Sequence, residues 1–246
     1  MPIASRRPPP DDLAWSVLGR RPPLAAALLA TAAVSLIALT WQVNNDAGII
    51  RFDPRVLDWM IAHRGEPLTS IARVITDLGD TKSMTILAAI TVAWFAWRRD
   101  WATAALVAVT SAGAGVLVVV VKHLVGRHRP PEVARLVAEP SLSYPSGHTL
   151  GTTVVVGIVA ITVIPGLRRR WVRRVATVFA VLFPIAVGLS RIYLGVHWAT
   201  DVLAGWLFGL SWLVVCVTVF CLLHGSPTDD QPTETTTLPN AAPERR

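Results

Sequence analysis

Polar and apolar positions in this chain separate on the scale of whole helices, not of single turns. Six long apolar runs stand out, at about 24–43, 82–97, 101–121, 147–165, 175–194 and 198–223, with charged residues gathered between them. Crossing the ~30 Å hydrocarbon layer takes roughly 20 apolar residues. In lipid a chain must satisfy its own backbone polar groups, so each run is predicted to be a helix. The run at 82–97 is short and is expected to extend a little at either end. The first run follows Arg20-Arg21 as a signal peptide would, but it exceeds the usual apolar core of about 7–15 residues, so an uncleaved helix is expected. The predicted fold class is all-α: a six-transmembrane-helix bundle over residues 24–223. Residues 1–23, rich in Pro and Arg, are expected to form a flexible cytoplasmic segment. Residues 224–246, rich in Thr, Pro and Asp, are expected to be a disordered cytoplasmic tail.

Composition supports the membrane reading, since 52% of the 246 residues are hydrophobic, more than a soluble domain of this size usually carries. A net charge of +7 would point to nucleic acid on a soluble chain. Here the arginines flank the apolar runs, so the expected partner is the bilayer and no nucleic-acid partner is expected. Six spans put both termini on one side, together with Arg6, Arg7, Arg20, Arg21, Arg98, Arg99 and the run "RRRWVRR" at 168–174. The positive-inside rule makes that side the cytoplasm of a multi-pass plasma-membrane protein. Trp94, Trp97, Trp101 and Trp171 then fall at the inner interface, with Trp41 and Trp198 at the outer one. Cys216 and Cys221, five apart in the last run, read as membrane packing and not as a disulfide or metal pair. "GWLFG", Gly205 to Gly209, is a small-xxx-small pattern expected to pack helices within the bundle.

The outer side then consists of residues 44–81, 122–146 and the turn 192–197. The first alternates Arg51, Arg55, Arg64 and Arg73 with acidic residues and reads as a mixed solvated surface. Within it "DPRVLDWMIAHRG", 53–65, fits either an amphipathic helix on the membrane or an ordinary exposed loop helix. The other two gather cations where the rule discourages them. Lys122, Arg129 and Arg191 form a like-charged set, with Glu132 and Glu139 nearby in the loop but not interleaved. Ionisable groups at a membrane boundary are costly and mark functional sites, and this set asks for an anion such as phosphate, which Arg forks bind bidentately. "PSGH", 145–148, adds a helix start: Ser146 is either a plain N-cap or a ligand donor, and Gly147 lets backbone N–H groups approach an anion. His148 is disfavoured as a cation at that helix end, and a bound anion would restore its proton, which suits a general acid. His197 and Asp201, four apart, are expected to share one helix face. In that company the aspartate reads as the orienter of a nucleophilic imidazole. A metal site built from His123, His128, His148, His197 and Asp201 is the competing reading, but the three cations would repel a divalent ion. A serine nucleophile at Ser146 lacks the G-x-S-x-G elbow. No metal and no cofactor is expected.

These stretches resemble the signature of the type-2 phosphatidic acid phosphatase (PAP2) superfamily. Its first motif, K-x6-R-P, stands as "KHLVGRHRP" at 122–130, the second as "PSGH", and the third, S-R-x5-H-x3-D, as "SRIYLGVHWATD" at 190–201. The first two spans match the six-helix plan of its membrane members only loosely. The resemblance implies that Lys122, Arg129, Arg191, Ser146 and the Gly147 amide hold phosphate oxygens. It implies that His197 forms a phosphohistidine with Asp201 as its orienter, and that His148 protonates the leaving oxygen and then helps activate water. The expected activity is metal-independent removal of phosphate from a membrane lipid phosphate or diphosphate at the extracytoplasmic interface. Polyprenyl diphosphate is the lead substrate, with phosphatidic acid or phosphatidylglycerol phosphate as alternatives. A vanadate-dependent haloperoxidase-like enzyme, a lipid transporter and a non-catalytic lipid-binding protein are the rival classes.

Overall fold

The computed structural model describes residues 22–224. The N-terminal segment and the tail expected from the sequence lie outside the described residues, apart from the few positions that begin the first helix and end the last. Among the described residues the secondary structure is helical throughout. We number the α-helices α1 (Pro22–Asn44), α2 (Asp53–Ala62), α3 (Glu66–Leu78), α4 (Thr81–Trp97), α5 (Trp101–Val125), α6 (Gly147–Val163), α7 (Arg170–Tyr193) and α8 (Ala199–His224). Five of them, α1, α5, α6 with the short turn that follows it, α7 and α8, are long and apolar enough to cross a membrane. The sixth expected span is α4, whose 17 residues rise only about 26 Å at 1.5 Å per residue.

Local chemistry sets the helix ends. Asp80 caps α4 by accepting from the Lys82 amide at 3.5 Å, and Asp100 caps α5 by accepting from the Thr103 amide at 3.1 Å. At the other end of α5, Gly126 adopts φ 67° and donates its N–H to Lys122 O at 2.9 Å. A left-handed residue of this kind terminates a helix cheaply only when it is glycine. It turns the chain sharply, so that Arg127 and Arg129 point back over the bundle end.

The central element is α6, which packs against α4, α5, α7 and α8. Leu150, Val154 and Ile158 on it are fully buried against Val107, Ala114, Leu213 and Val217. Both small residues of "GWLFG" face α6: a Cβ on Gly205 would lie 2.9 Å from Thr149 Cβ and 3.0 Å from Ser146 O, and one on Gly209 2.9 Å from Thr153 Cβ. Glycine at both positions lets the α8 backbone approach α6 closely. The first turns of α6 and α8, which carry "PSGH" and Asp201, therefore sit side by side.

The segment 44–81 departs from the solvated surface expected of it. Its two helices, α2 and α3, fold onto the bundle end, burying Asp53, Leu57, Ala72 and Thr76. Arg64 fastens them, donating through Nη2 to Ala134 O and Tyr193 O, each at 2.8 Å. The cause is the apolar face of this pair, which finds Tyr193, Leu194 and Val196, while Leu68, Ile71, Val74 and Leu78 remain exposed on the outside.

Candidate active site

The end of α5, the start of α6, the end of α7 and the start of α8 meet beneath α2 and α3. Lys122, in the last turn of α5, donates to Ser141 Oγ at 2.9 Å and Leu142 O at 2.6 Å. Arg129 is 9% exposed and spends its fork on several acceptors. Its Nε reaches Ser141 O, its Nη2 reaches Ser141 Oγ at 3.0 Å, and its Nη1 reaches both Val196 O and His197 Nε2, the last at 3.0 Å. Arg191 donates to Thr76 Oγ1 at 2.9 Å and to Glu139 Oε2 at 2.8 Å. Its Nε is buried without a hydrogen-bond partner among the described residues, an orphan donor that a bound anion would satisfy.

Glu139 corrects one expectation. It is interleaved with the cations after all, 3.6 Å from Arg129 and 2.8 Å from Arg191, because the loop after Pro131 folds back across them. Burial works to raise its pKa, but Arg129 and Arg191 overcome that and hold it below the usual value, so it is a carboxylate at neutral pH. Ser141 and Leu142 of the same loop take up donors of Lys122 and Arg129. The like-charged set is stable without substrate because this loop supplies an anion and several acceptors.

At the head of α6, Ser146 occupies the cap position, but its side chain makes no capping bond. Its hydroxyl instead accepts from Thr149 Oγ1 at 2.9 Å, and its amide donates to Asp201 O at 3.0 Å. Gly147 follows, and the Nε2 of His148 lies 3.5 Å from Asp80 Oδ1.

His197 is placed otherwise than expected. It precedes α8, on a turn made possible by Gly195 at φ 74°, so it does not share a helix face with Asp201. The two still face each other, Nδ1 to Oδ2 at 3.5 Å, because Asp201 reaches back to cap the helix, accepting from the Trp198 amide at 2.9 Å. Ser143 Oγ donates to the same Oδ2, while Oδ1 takes Arg127 Nη1 at 2.6 Å. A guanidinium on Nε2 and a carboxylate near Nδ1 assign the proton to Nδ1 and the lone pair to Nε2. Burial, then Arg129, Arg191, Lys122 and His148, push the His197 pKa well below its ordinary value. Arg129 is itself lowered to about 10, chiefly by burial, and stays cationic at neutral pH.

A pH effect on stability follows from His197. The unfolded chain takes up a proton on this residue below about pH 6.5, and the folded chain does not. This contribution is therefore present above that pH and lost as pH falls, by at most about 1.4 kcal/mol per pH unit. Thermal unfolding in detergent is expected to weaken from pH 7.5 to pH 5, and His197→Gln is expected to flatten that slope.

All eight residues singled out from the sequence come to this one end of the bundle. The competing metal set does not come together as a whole: His123 bonds Val119 O on the exposed side of α5, and among the described residues no three His, Cys, Asp or Glu side chains are grouped as ligands for an ion. Sequence reasoning gave no site role to Asp53, Asp80, Arg127 or Ser143, and set Glu139 beside the cations but not between them. Arg127 lies inside the first motif and Ser143 just before the second, but nothing local marks Asp53.

Membrane-length helices around a cation cluster and a neutral, carboxylate-held imidazole define a multi-pass membrane protein equipped for a phosphorylated ligand. Residues 101–222 match the sequence profile of the PAP2 superfamily. A phosphatidylglycerophosphatase B of Bacillus subtilis (strain 168) is 34% identical over 149 residues, 58% of this chain and 70% of that protein. An undecaprenyl-diphosphatase of Sulfolobus acidocaldarius is 44% identical over 71 residues, 29% of this chain and 30% of that protein. The crystal structure of a transmembrane PAP2 type phosphatidylglycerolphosphate phosphatase from Bacillus subtilis superposes with a TM-score of 0.71 at 27% identity, covering 80% of this chain and 96% of that one. This chain belongs to the PAP2 superfamily and is a lipid phosphate phosphatase.

Proposed function

We propose that the enzyme removes a terminal phosphate from a lipid phosphate or diphosphate without a metal, through a phosphohistidine, at the extracytoplasmic face of the cell membrane. The observation that carries this reading is the His197 ring, whose Nε2 lone pair faces Arg129 at 3.0 Å while Nδ1 faces Asp201. The guanidinium that now holds Nε2 turns to a phosphate oxygen when substrate binds, which frees the lone pair. Lys122, Arg191, Ser146 and the Gly147 amide take the remaining oxygens, and Glu139 yields its place to them. Nε2 then bonds to phosphorus as the phosphorus–oxygen bond to the lipid breaks, and His148 gives its proton to the departing oxygen. Asp201 stabilises the cationic ring through Nδ1–H. In the second half, neutral His148 takes a proton from water, the resulting hydroxide attacks phosphorus, and the nitrogen–phosphorus bond breaks to release phosphate. Positioning and fixed positive charge supply the catalysis, as phosphoryl transfer requires.

A cavity of about 540 Å³ supports a lipid substrate. It lies between α4, α5 and α6, lined by Ala88, Ser111, Gly115, Val118 and Gly151, and it reaches Gly147 beside the cations. Gly115 and Gly151 leave open space where side chains would stand, room for an apolar tail that a sugar phosphate would not fill. In this orientation α4 is the sixth span, and both termini are cytoplasmic. Supporting that orientation, Trp97, Trp101 and Trp171 are exposed at the bundle end far from the site, beside Arg98, Arg99 and Arg168 to Arg174.

Polyprenyl diphosphate is the lead substrate, and the Sulfolobus relative's name favours it. Phosphatidylglycerol phosphate is the second reading, favoured by the name of the Bacillus subtilis relative. The test is phosphate release by purified protein from a panel of lipid phosphates, diphosphates and soluble esters, with and without chelator. Turnover of lipids that survives chelator is expected, with prenyl diphosphate highest in kcat/KM. Preference for phosphatidylglycerol phosphate would select the second reading. Activity confined to soluble esters, or abolished by chelator, would overturn the lipid or the metal-free assignment respectively.

A further inference from the structure

A buried ion-pair chain lies behind His197, joining the motif residue Asp201 to Arg127 and Asp53, which the motifs leave without a role. Arg127 donates through Nη1 to Asp201 Oδ1 at 2.6 Å and through Nη2 to Asp53 Oδ2 at 2.7 Å. Asp53 is 2% exposed and Asp201 0%, so both carboxylates depend on partners for their charge. Asp53 heads α2 and also grips the head of α8, accepting from the Thr200 amide at 3.0 Å and from the Thr200 hydroxyl. Thr200 Oγ1 in turn accepts from Arg127 Nη1 at 2.8 Å, and the guanidinium lies over the Trp198 ring, 5.6 Å from its centroid. Arg127 is therefore held on one face by Trp198 and at both Nη nitrogens by acceptors.

We propose that Arg127, braced by Asp53, is a positioning residue for the reaction: it keeps Asp201 ionised and aimed, and so sets which ring nitrogen of His197 carries the proton. The two Asp201 oxygens divide the work. Oδ2 serves Ser143, Trp198 and His197, and Oδ1 serves Arg127, so Arg127 holds the carboxylate without competing with the imidazole. A buried carboxylate that loses its cation takes up a proton. Protonated Asp201 is a poorer acceptor for Nδ1–H, and the proton shifts to Nε2, where it occupies the lone pair that must attack phosphorus. Arg129, which meets Nε2, and Arg191, Lys122 and His148 are the other charged or titratable groups acting on His197. All are cations or can become cations, so none replaces the missing carboxylate. Burial works to lower the Arg127 pKa, but Asp201 and Asp53 overcome it and raise it, which keeps the cation in place at every pH of interest. This proposal rests on reading His197 as the nucleophile.

Two measurements on the full-length protein in detergent test it. The first is ¹⁵N NMR of the His197 ring without substrate. Wild type is expected to carry its proton on Nδ1, and Arg127→Gln to move it wholly or partly to Nε2, with Arg127→Lys in between. An unchanged tautomer in a folded Arg127→Gln protein would sink the proposal whatever the enzyme's substrate. The second is steady-state turnover of a lipid phosphate across pH. Arg127→Gln is expected to lower kcat by about 10- to 100-fold, the scale found for losing an outer-shell partner of a metal-bound histidine, with KM nearly unchanged. The acid limb of kcat/KM should move to higher pH, and Arg127→Lys should recover part of kcat. Asp53→Asn should act in the same direction but less, because it leaves the Arg127–Asp201 pair intact. A rise in KM and in the inhibition constant of orthophosphate with kcat intact would make Arg127 a phosphate ligand instead. A loss of thermal stability alone would reduce the chain to a structural brace. Wild type without turnover on any lipid phosphate would fail the functional reading, while the tautomer measurement would still decide this one.

Discussion

His197→Ala is expected to lower kcat on a lipid phosphate by on the order of 10⁴-fold or more, the scale seen when a covalent nucleophile is removed. The protein should still fold, because the substitution leaves no uncompensated buried charge. Asp201 keeps Arg127, Ser143 Oγ and the Trp198 amide, and Arg129 keeps Val196 O and Ser141. Phosphate binding should persist, so orthophosphate should still protect the variant against thermal unfolding. Rapid-quench labelling with radioactive substrate is expected to trap an acid-labile phosphoenzyme in wild type and none in the variant. Residual turnover within tenfold of wild type would mean that water attacks the substrate directly and that His197 has another role.

Arg129→Lys is expected to cost about 10²- to 10³-fold in kcat, the range for losing one preorganised donor to a developing anion. Charge is conserved in this substitution, so the size of the loss reports geometry. The Arg129 fork meets Ser141, Val196 and His197 in separate directions, and an ammonium is a point charge that cannot reproduce a rigid planar fork. The buried acceptors Val196 O and Ser141 O would lose donors as well, at about 1–3 kcal/mol for each one left unsatisfied. Differential scanning calorimetry should therefore show a lower Tm alongside the kinetic loss. A lysine variant within threefold of wild type would show that positive charge alone suffices at this position.

Three of the four stretches that build the site were legible as short strings. "KHLVGRHRP", "PSGH" and "SRIYLGVHWATD" put costly charges at the ends of apolar runs, and only a function justifies that placement. Their mutual geometry was less accessible. The four-residue spacing of His197 and Asp201 suggested a shared helix face. The contact arises instead from a capping carboxylate reaching back to a turn, and spacing alone does not separate the two. Glu139 was visible as a nearby acid, but its insertion between Arg129 and Arg191 depends on how a loop closes. The fourth stretch, α2 and α3, read as a solvated surface because its charges alternate in sign, and local alternation says nothing about which of them become buried.

The sequence by itself determined that this chain forms apolar helices of membrane length and that cations gather at the ends of several of them. Lipid compels a spanning backbone to bond to itself, and hydropathy is a property of consecutive residues, so a local reading is sufficient for both. Only the tertiary structure decided which charge meets which. Asp53 and Arg127 are 74 residues apart in the chain and 2.7 Å apart in the fold. Ion pairing acts over a few ångströms, and those distances are set by the close approach of α6 and α8 at Gly205 and Gly209, by the turn at Gly126, and by the folding of α2 onto the bundle end. That is why Arg129 faces Nε2 of His197 while Arg127, two residues away, faces the carboxylate behind it.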